Sequence, residues 1–264
     1  MGGYCVKERE IKEELRYYSE RYYAKPLSEA GFTNYRNDLL NWYCIYNGVI
    51  CHFHIICVNS RFPMLMLIWW IQPTYLPTII NPPASWNRFR ENLWFSTARA
   101  LFPANTVEAG HLMNVPRLPQ RGAERLEDEL FPQMRRLNTR EAVYSARKEQ
   151  IFADWKKSNA ERRWEFPESD TPIYVFLTPD FADSALIMND TEMFPHCIDR
   201  LEKLAIPASR RFQQKDAVMD RSTEQLEAQL KALKGHDLEA YFELMKERKA
   251  RFLKRYHLQD EFEL

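Results

Sequence analysis

The sequence predicts an α+β fold: an antiparallel β-meander at about residues 39–71, packed by helices, ahead of a predominantly helical C-terminal region. Three observations carry this. Asn47-Gly48 separates two runs, 39–46 and 49–58, that are rich in aromatic and β-branched residues. A continuous apolar run follows at 64–71. Beyond about residue 121, apolar side chains recur mostly at helical spacing, and serine, asparagine or aspartate stands where a helix would start.

Residues 6–24 form the first expected helix. Ile11, Leu15, Tyr18 and Tyr22 make one face, with charges elsewhere. Pro26 should interrupt it, leaving a short helical turn that Gly31 caps in the left-handed conformation. Asn-Gly is the strongest two-residue hairpin turn, because both positions need positive φ. That turn sets the register: Tyr46 faces Val49, Cys44 faces Cys51, Trp42 faces Phe53 and Leu40 faces Ile55. With Cys57 these form an unbroken apolar face, the expected core face. The opposite face carries Leu39, Asn41, Tyr43 and Ile45 against Ile56, His54, His52 and Ile50. The 64–71 strand is apolar on both sides, so it should lie inside the sheet with both faces covered. Pro73, Pro77, Pro82 and Pro83 keep 72–83 out of a central strand.

Ser85 is the expected N-cap of a helix reaching about residue 102, with Trp86, Phe89, Leu93 and Ala100 near one face. Residues 103–120 read as irregular, with a short strand near 111–115. Helices are expected at 121–137 and 139–163, the second opened by Asn138 and Glu141 and carrying Val143, Ala146, Ile151 and Trp155. Residues 173–178, ended by Pro179, read as a fourth strand. A helix over 195–205 follows. Ser222 with Gln225 opens a helix carrying Leu226, Leu230 and Leu233, which Gly235 stops. Asp237 caps a last helix with Leu238, Tyr241, Met245, Phe252 and Tyr256, and these two should form a helical hairpin. The expected organisation is an α+β region over 1–120 and a mostly helical region over 121–264 that holds the 173–178 strand, as a second domain or as part of the same one.

Composition narrows the function classes. Across 264 residues 45% are apolar, enough for a sizeable core, and only seven are glycine, too few for Gly-rich phosphate loops or all-β repeats. Lys plus Arg equals Asp plus Glu at 37 each, so no global field draws the chain to nucleic acid or anionic lipid. Cysteines at 5, 44, 51, 57 and 197 are odd in number, with no CxxC pair, and the charged opening stretch leads to the expectation of no signal peptide. Free thiols in a reducing, cytoplasmic setting are the expectation. Gly2 invites comparison with a myristoylation signal, but Val6 stands where serine or threonine is needed. The run at 64–71 falls far short of the roughly 20 residues a spanning helix needs, so no membrane partner is expected.

The candidate ligand-binding residues are Asn41, Tyr43, His52 and His54. His52 and His54 project from one face of one strand, where an H-x-H pair can supply two ligands to a metal. No spacing marks a third ligand, so no metal or cofactor is assigned, and ordinary hydrogen-bonded histidines on a half-polar face are the favoured explanation of the pattern. Cys44 and Cys51 read as small buried hydrophobes. Cys197 adjoins His196, but adjacent residues seldom face each other. Asp180, Asp183, Asp190 and Glu192 are a carboxylate cluster that turn and cap roles also account for. Lys246, Arg248, Lys249, Arg251, Lys254 and Arg255 are the most basic run; they could contact phosphates or an acidic partner, but a solvated helix end is the favoured reading. Trp69, Trp70, Tyr75 and Trp86 surround the proline-rich stretch; on a regular strand Trp69 and Trp70 point to opposite faces. GxGxxG, P-loop, HExxH and GxSxG motifs are absent, and no catalytic residue is assigned. The leading expectation is a protein-interaction or regulatory module, self-associating through its C-terminal helices. A ligand- or metal-binding protein or enzyme using the Tyr43, His52, His54 face comes second, and nucleic-acid binding through 246–255 third.

Overall fold

In the computed structural model the chain divides into two compact units, Met1–Thr74 with Ile79–Val143, and Tyr75–Thr78 with Tyr144–Leu264. The structure describes residues 12–13, 15–35, 39–58, 64–75, 95–100, 117–162, 170–212, 222–243 and 246.

The first unit is α+β. Its sheet has the order β1 (Thr33–Asn34), β2 (Asn41–Tyr46), β3 (Val49–Val58), β4 (Met64–Pro73) and β5 (Phe95–Ala100), every neighbour antiparallel. Asn47 and Gly48 take φ values of 47° and 72°, as the tight turn demands. The register is the one expected from that turn: Tyr46 pairs Val49, Cys44 pairs Cys51 and Trp42 pairs Phe53. The Ile55 N–H then donates to the Leu40 carbonyl at 2.9 Å. The hairpin tip is held in place. Asn47 Nδ2 donates to the Asn138 carbonyl at 3.1 Å, and Arg140 Nε to the Gly48 carbonyl at 3.3 Å. On β4 the side chains from Leu67 to Ile71 are all buried, so both faces of this central strand are covered.

One expectation fails here. The helix over 85–102 is replaced by strand at its C-terminal end, where β5 runs from Phe95 to Ala100; Ser85, Trp86, Phe89 and Leu93 lie outside the described residues. Without β5 the second edge of buried β4 would leave its backbone donors and acceptors unpaired, so a non-local ladder overrides local helical preference. The short strand suggested near 111–115 also lies outside the described residues.

Helices pack one face of the sheet. Residues 15–18 are helical and run through a π-helical turn, Ser19–Tyr23, into α1 (Ala24–Glu29). Helix α2 (Arg117–Arg125) runs through a second π turn, Leu126–Leu130, into α3 (Phe131–Arg136). The Tyr23 ring meets Phe53 edge-on at 6.1 Å, and Trp69 Nε1 donates to Gln133 Oε1 at 2.9 Å. Pro26 does not interrupt the first helix. The Ala24 N–H reaches back five residues to the Ser19 carbonyl, and this wider turn makes room for a proline that lacks an N–H and crowds the carbonyl four residues earlier. Pro132 follows the second π turn in the same way. Gly31, at φ 85°, ends α1 as expected: its N–H donates to Ser28 and the Phe32 N–H to Leu27, the paired bonds of a Schellman cap.

Gly122 on α2 is a close approach. A Cβ there would stand 2.3 Å from the hydroxyl of Tyr23, whose oxygen is buried and has no hydrogen-bond partner among the described residues. Gly122→Ala should therefore destabilise the protein by about 1–3 kcal/mol. Tyr23→Phe should be stabilising by about 1 kcal/mol, and the double variant should recover most of the alanine's cost. Chemical denaturation of the three variants measures the coupling; strictly additive effects would refute the contact.

The second unit, among the described residues, is helical. Helix α4 (Arg140–Arg162) begins in the first unit, and its residues from Tyr144 belong to the second. It starts one residue later than expected: Thr139, not Asn138, caps it, accepting from the Ala142 N–H at 3.1 Å. The fourth strand expected at 173–178 is a 3-10 turn, Ile173–Phe176. Pro172 and Pro179 bracket it, and the Val175 and Leu177 N–H groups bond to the carbonyls of Pro172 and Tyr174. A strand would place 173, 175 and 177 on one face, yet Ile173 and Leu177 are buried while Val175 is 41% exposed. Thr178 then caps α5 (Pro179–Ile187).

Helix α6 (Phe194–Arg200) continues through a third π turn, Leu201–Ala205, into α7 (Ile206–Phe212), again with a proline, Pro207, just beyond. The expected capping box at Ser222 and Gln225 opens α8 (Thr223–Gly235). Its Leu226 and Leu233 are buried, so α8 uses its apolar face inside this unit. Gly235 is the last helical residue, not the left-handed one; His236 takes φ 50° with its ring edge-on to Phe194 at 4.8 Å. Asp237 caps the following turns, which the structure describes at 238–243, with Tyr241 buried. Met245, Phe252 and Tyr256 lie outside the described residues. Among the described residues no helix is long and apolar enough to cross a membrane.

Candidate functional site

The sheet brings the four candidate ligand-binding residues together. Asn41 pairs His54 and Tyr43 pairs His52 on adjacent strands, and β4 adds Ile68 opposite His54 and Trp70 opposite His52. The alternation of a strand puts all of them, with Gln72, on the face opposite Trp42, Phe53 and Trp69. This polar face is closed. His52 is 1% exposed and His54 6%, Asn41 and Gln72 are buried, and Tyr43 is half-buried. The His52 ring stacks on Trp70 at 4.7 Å. Burial, then the neighbouring His54, pull the His52 pKa down to about 3, so its imidazole is neutral at physiological pH. A neutral imidazole can bind a metal or accept a proton. Among the described residues, however, no group of three or more His, Cys, Asp or Glu side chains is placed to hold a metal ion.

Trp69 and Trp70 do point to opposite faces, and both are buried; Trp86 lies outside the described residues. A pocket of about 360 Å³ opens on the helical side of the first unit, lined by Pro26, Ala30, Phe131 and Met134 with Glu29, Glu127 and Arg135. None of the candidate residues lines it.

The described thiols are poor nucleophiles. Burial pushes Cys44 up to about 11 and Cys51 well above its ordinary value, and burial with Asp190 and Asp183 nearby pushes Cys197 up to about 12. The acidic cluster separates into structural roles. Asp183 is buried on α5 and accepts from Gln229 Nε2 at 2.6 Å. Asp190 accepts from Tyr144 at 2.8 Å and Lys148 at 2.5 Å. Burial would raise the Asp190 pKa, but these two donors outweigh it and hold the carboxyl below its usual range. No protein-family model, curated protein or solved structure matches the chain.

Of the basic run only Lys246 is described; it is exposed and lies 3.3 Å from Glu243. Arg248, Lys249, Arg251, Lys254 and Arg255 fall outside the described residues. Two surface features escape sequence inspection. On the first helix Tyr17 is 49% exposed, and the Arg21 guanidinium sits 5.9 Å from its ring centre and 5.6 Å from that of Tyr22. On the second unit Val175 is exposed beside Arg200. The signal for the first was present: Tyr17 and Arg21 stand four apart, off the apolar stripe. The second was hidden by the strand assignment.

Proposed function

We propose that the chain is a protein-interaction module that self-associates, with the first helix as its principal contact surface. The observation behind this is the Tyr17, Arg21, Tyr22 cluster. Arg21 Nη1 donates to the Tyr17 hydroxyl at 2.6 Å and the guanidinium lies over both rings, so the exposed group is already ordered. Tyrosine and arginine dominate interface hot spots, and a pre-ordered side chain loses less entropy on binding. The C-terminal helices remain a second contact in this proposal through the residues that follow α8, whose own apolar face is occupied.

Sedimentation over a concentration series tests it. The full chain should dimerise, and Tyr17→Ala and Arg21→Ala should each weaken the dimer about tenfold, equivalent to about 1.4 kcal/mol. A monomer at the highest soluble concentration would refute self-association.

One observation favours a second function, binding of a small ligand or metal. Asn41, His52, His54 and Gln72 are four buried polar side chains on one face of an otherwise apolar sheet. Native mass spectrometry with metal analysis of untagged protein would reveal a bound group, and replacing both histidines by phenylalanine should abolish it. Bare protein of the expected mass would count against this function.

A further inference from the structure

Arg200 carries a charge that no described carboxylate of the second unit balances. Its side chain is half-buried, and its Nε is buried with no partner among the described residues. The acceptor it has is the Val175 carbonyl, 3.2 Å from Nη1. The nearby carboxylates on the same helix are engaged with other cations: Asp199 pairs with Lys203 at 2.8 Å, and Glu202 with Lys234 at 2.5 Å. Burial pulls the Arg200 pKa down, with no described carboxylate opposing it. Beside it the 3-10 turn leaves the Val175 side chain 41% exposed, and the Lys203 ammonium lies 5.0 Å over the Tyr174 ring.

We propose that Val175 and Arg200 form a docking surface for a protein partner that presents an aspartate or glutamate next to an apolar side chain. A guanidinium in partly apolar surroundings gains most from a planar carboxylate, which it can grip through two N–H groups. The neighbouring valine supplies apolar area for the adjoining side chain. Charge selects carboxylate over phosphate. Lys203 is already neutralised by Asp199, so among the described residues here Arg200 supplies one positive charge without a paired carboxylate, and it matches a monoanion. This surface rests on the proposal that the chain is an interaction module, but not on the Tyr17 cluster.

The test uses the full chain and two short fluorescent peptide libraries, one with a fixed central aspartate flanked by apolar residues, the other with asparagine in its place. Members of the aspartate library should bind, and their asparagine counterparts should bind at least tenfold more weakly. Arg200→Gln and Val175→Asp should each weaken binding tenfold or more, Arg200→Lys less, and Tyr17→Ala should leave it unchanged. Val175→Asp lies on an exposed turn and keeps the test available if Arg200→Gln does not fold. No binding, equal binding of the two libraries, or binding by folded Arg200→Gln at wild-type strength would overturn the surface. Binding lost with Tyr17→Ala but kept with Arg200→Gln would overturn it while leaving the interaction module standing.

Discussion

Acidification from pH 7 towards pH 4 should destabilise the fold by several kcal/mol, and His52→Phe should remove much of that sensitivity. Folded His52 stays neutral down to about pH 3, because it is buried on Trp70 and beside His54. In the unfolded chain an imidazole takes up its proton near pH 6.5. Between those values the unfolded state binds a proton that the native state refuses. The stabilisation is therefore complete above about pH 6.5 and falls by about 1.4 kcal/mol for each pH unit below it. The full loss at the bottom of the window is about 4–5 kcal/mol. Phenylalanine keeps the stack on Trp70 and cannot titrate. Urea midpoints between pH 8 and pH 4 should fall steeply for the native chain and less steeply for the variant. Parallel curves would mean that His52 is open to protonation, and the polar face with it.

Gln229→Leu is expected to cost about 3 kcal/mol, although leucine fills similar space and favours helix. Gln229 is buried on α8, and its Nε2 donates both to the Pro179 carbonyl and to Asp183 Oδ1. Removing the amide leaves a buried carboxyl and a carbonyl each without that donor, and stranded buried polar groups are penalised more heavily than the mean value of a hydrogen bond suggests. Replacing both Asp183 and Gln229 by leucine should be less damaging than Gln229→Leu alone, because the buried carboxyl that lost its amide donor goes too. Thermal unfolding of the single and double variants decides this. A double variant as unstable as the sum of its parts would show that Asp183 is held mainly by something else.

The hairpin was readable because its information is local. Asn47-Gly48 fixes the turn, the turn fixes the register, and the register dictates which side chains share a face. The same logic places Asn41, Tyr43, His52 and His54 together from the sequence alone. It could not say that this face is closed, because closure depends on what packs against it. The segment that became β5 failed for a related reason: its strand state exists only as a partner to β4. Residues 173–178 have strand-like composition, yet two prolines and a four-residue spacing of the buried pair make them a turn. Caps read well at Gly31, Ser222 and Asp237, where one side chain or one φ angle decides. The assignment slipped by one residue at Thr139, where Asn138 and Thr139 compete for the role.

The π turn in the first helix also changes how that helix presents itself. At 3.6 residues per turn, Leu15 and Tyr18 lead on to Tyr22 as the next inward residue. The structure buries Tyr23 and Leu27 instead and leaves Tyr22 partly outside. One extra residue per turn rotates everything downstream by about 100° around the axis. That change of phase frees Tyr22 to meet Arg21 at the surface. Seen this way, Pro26 does more than tolerate its helix: the turn that accommodates it keeps Tyr22 outside, within reach of Arg21.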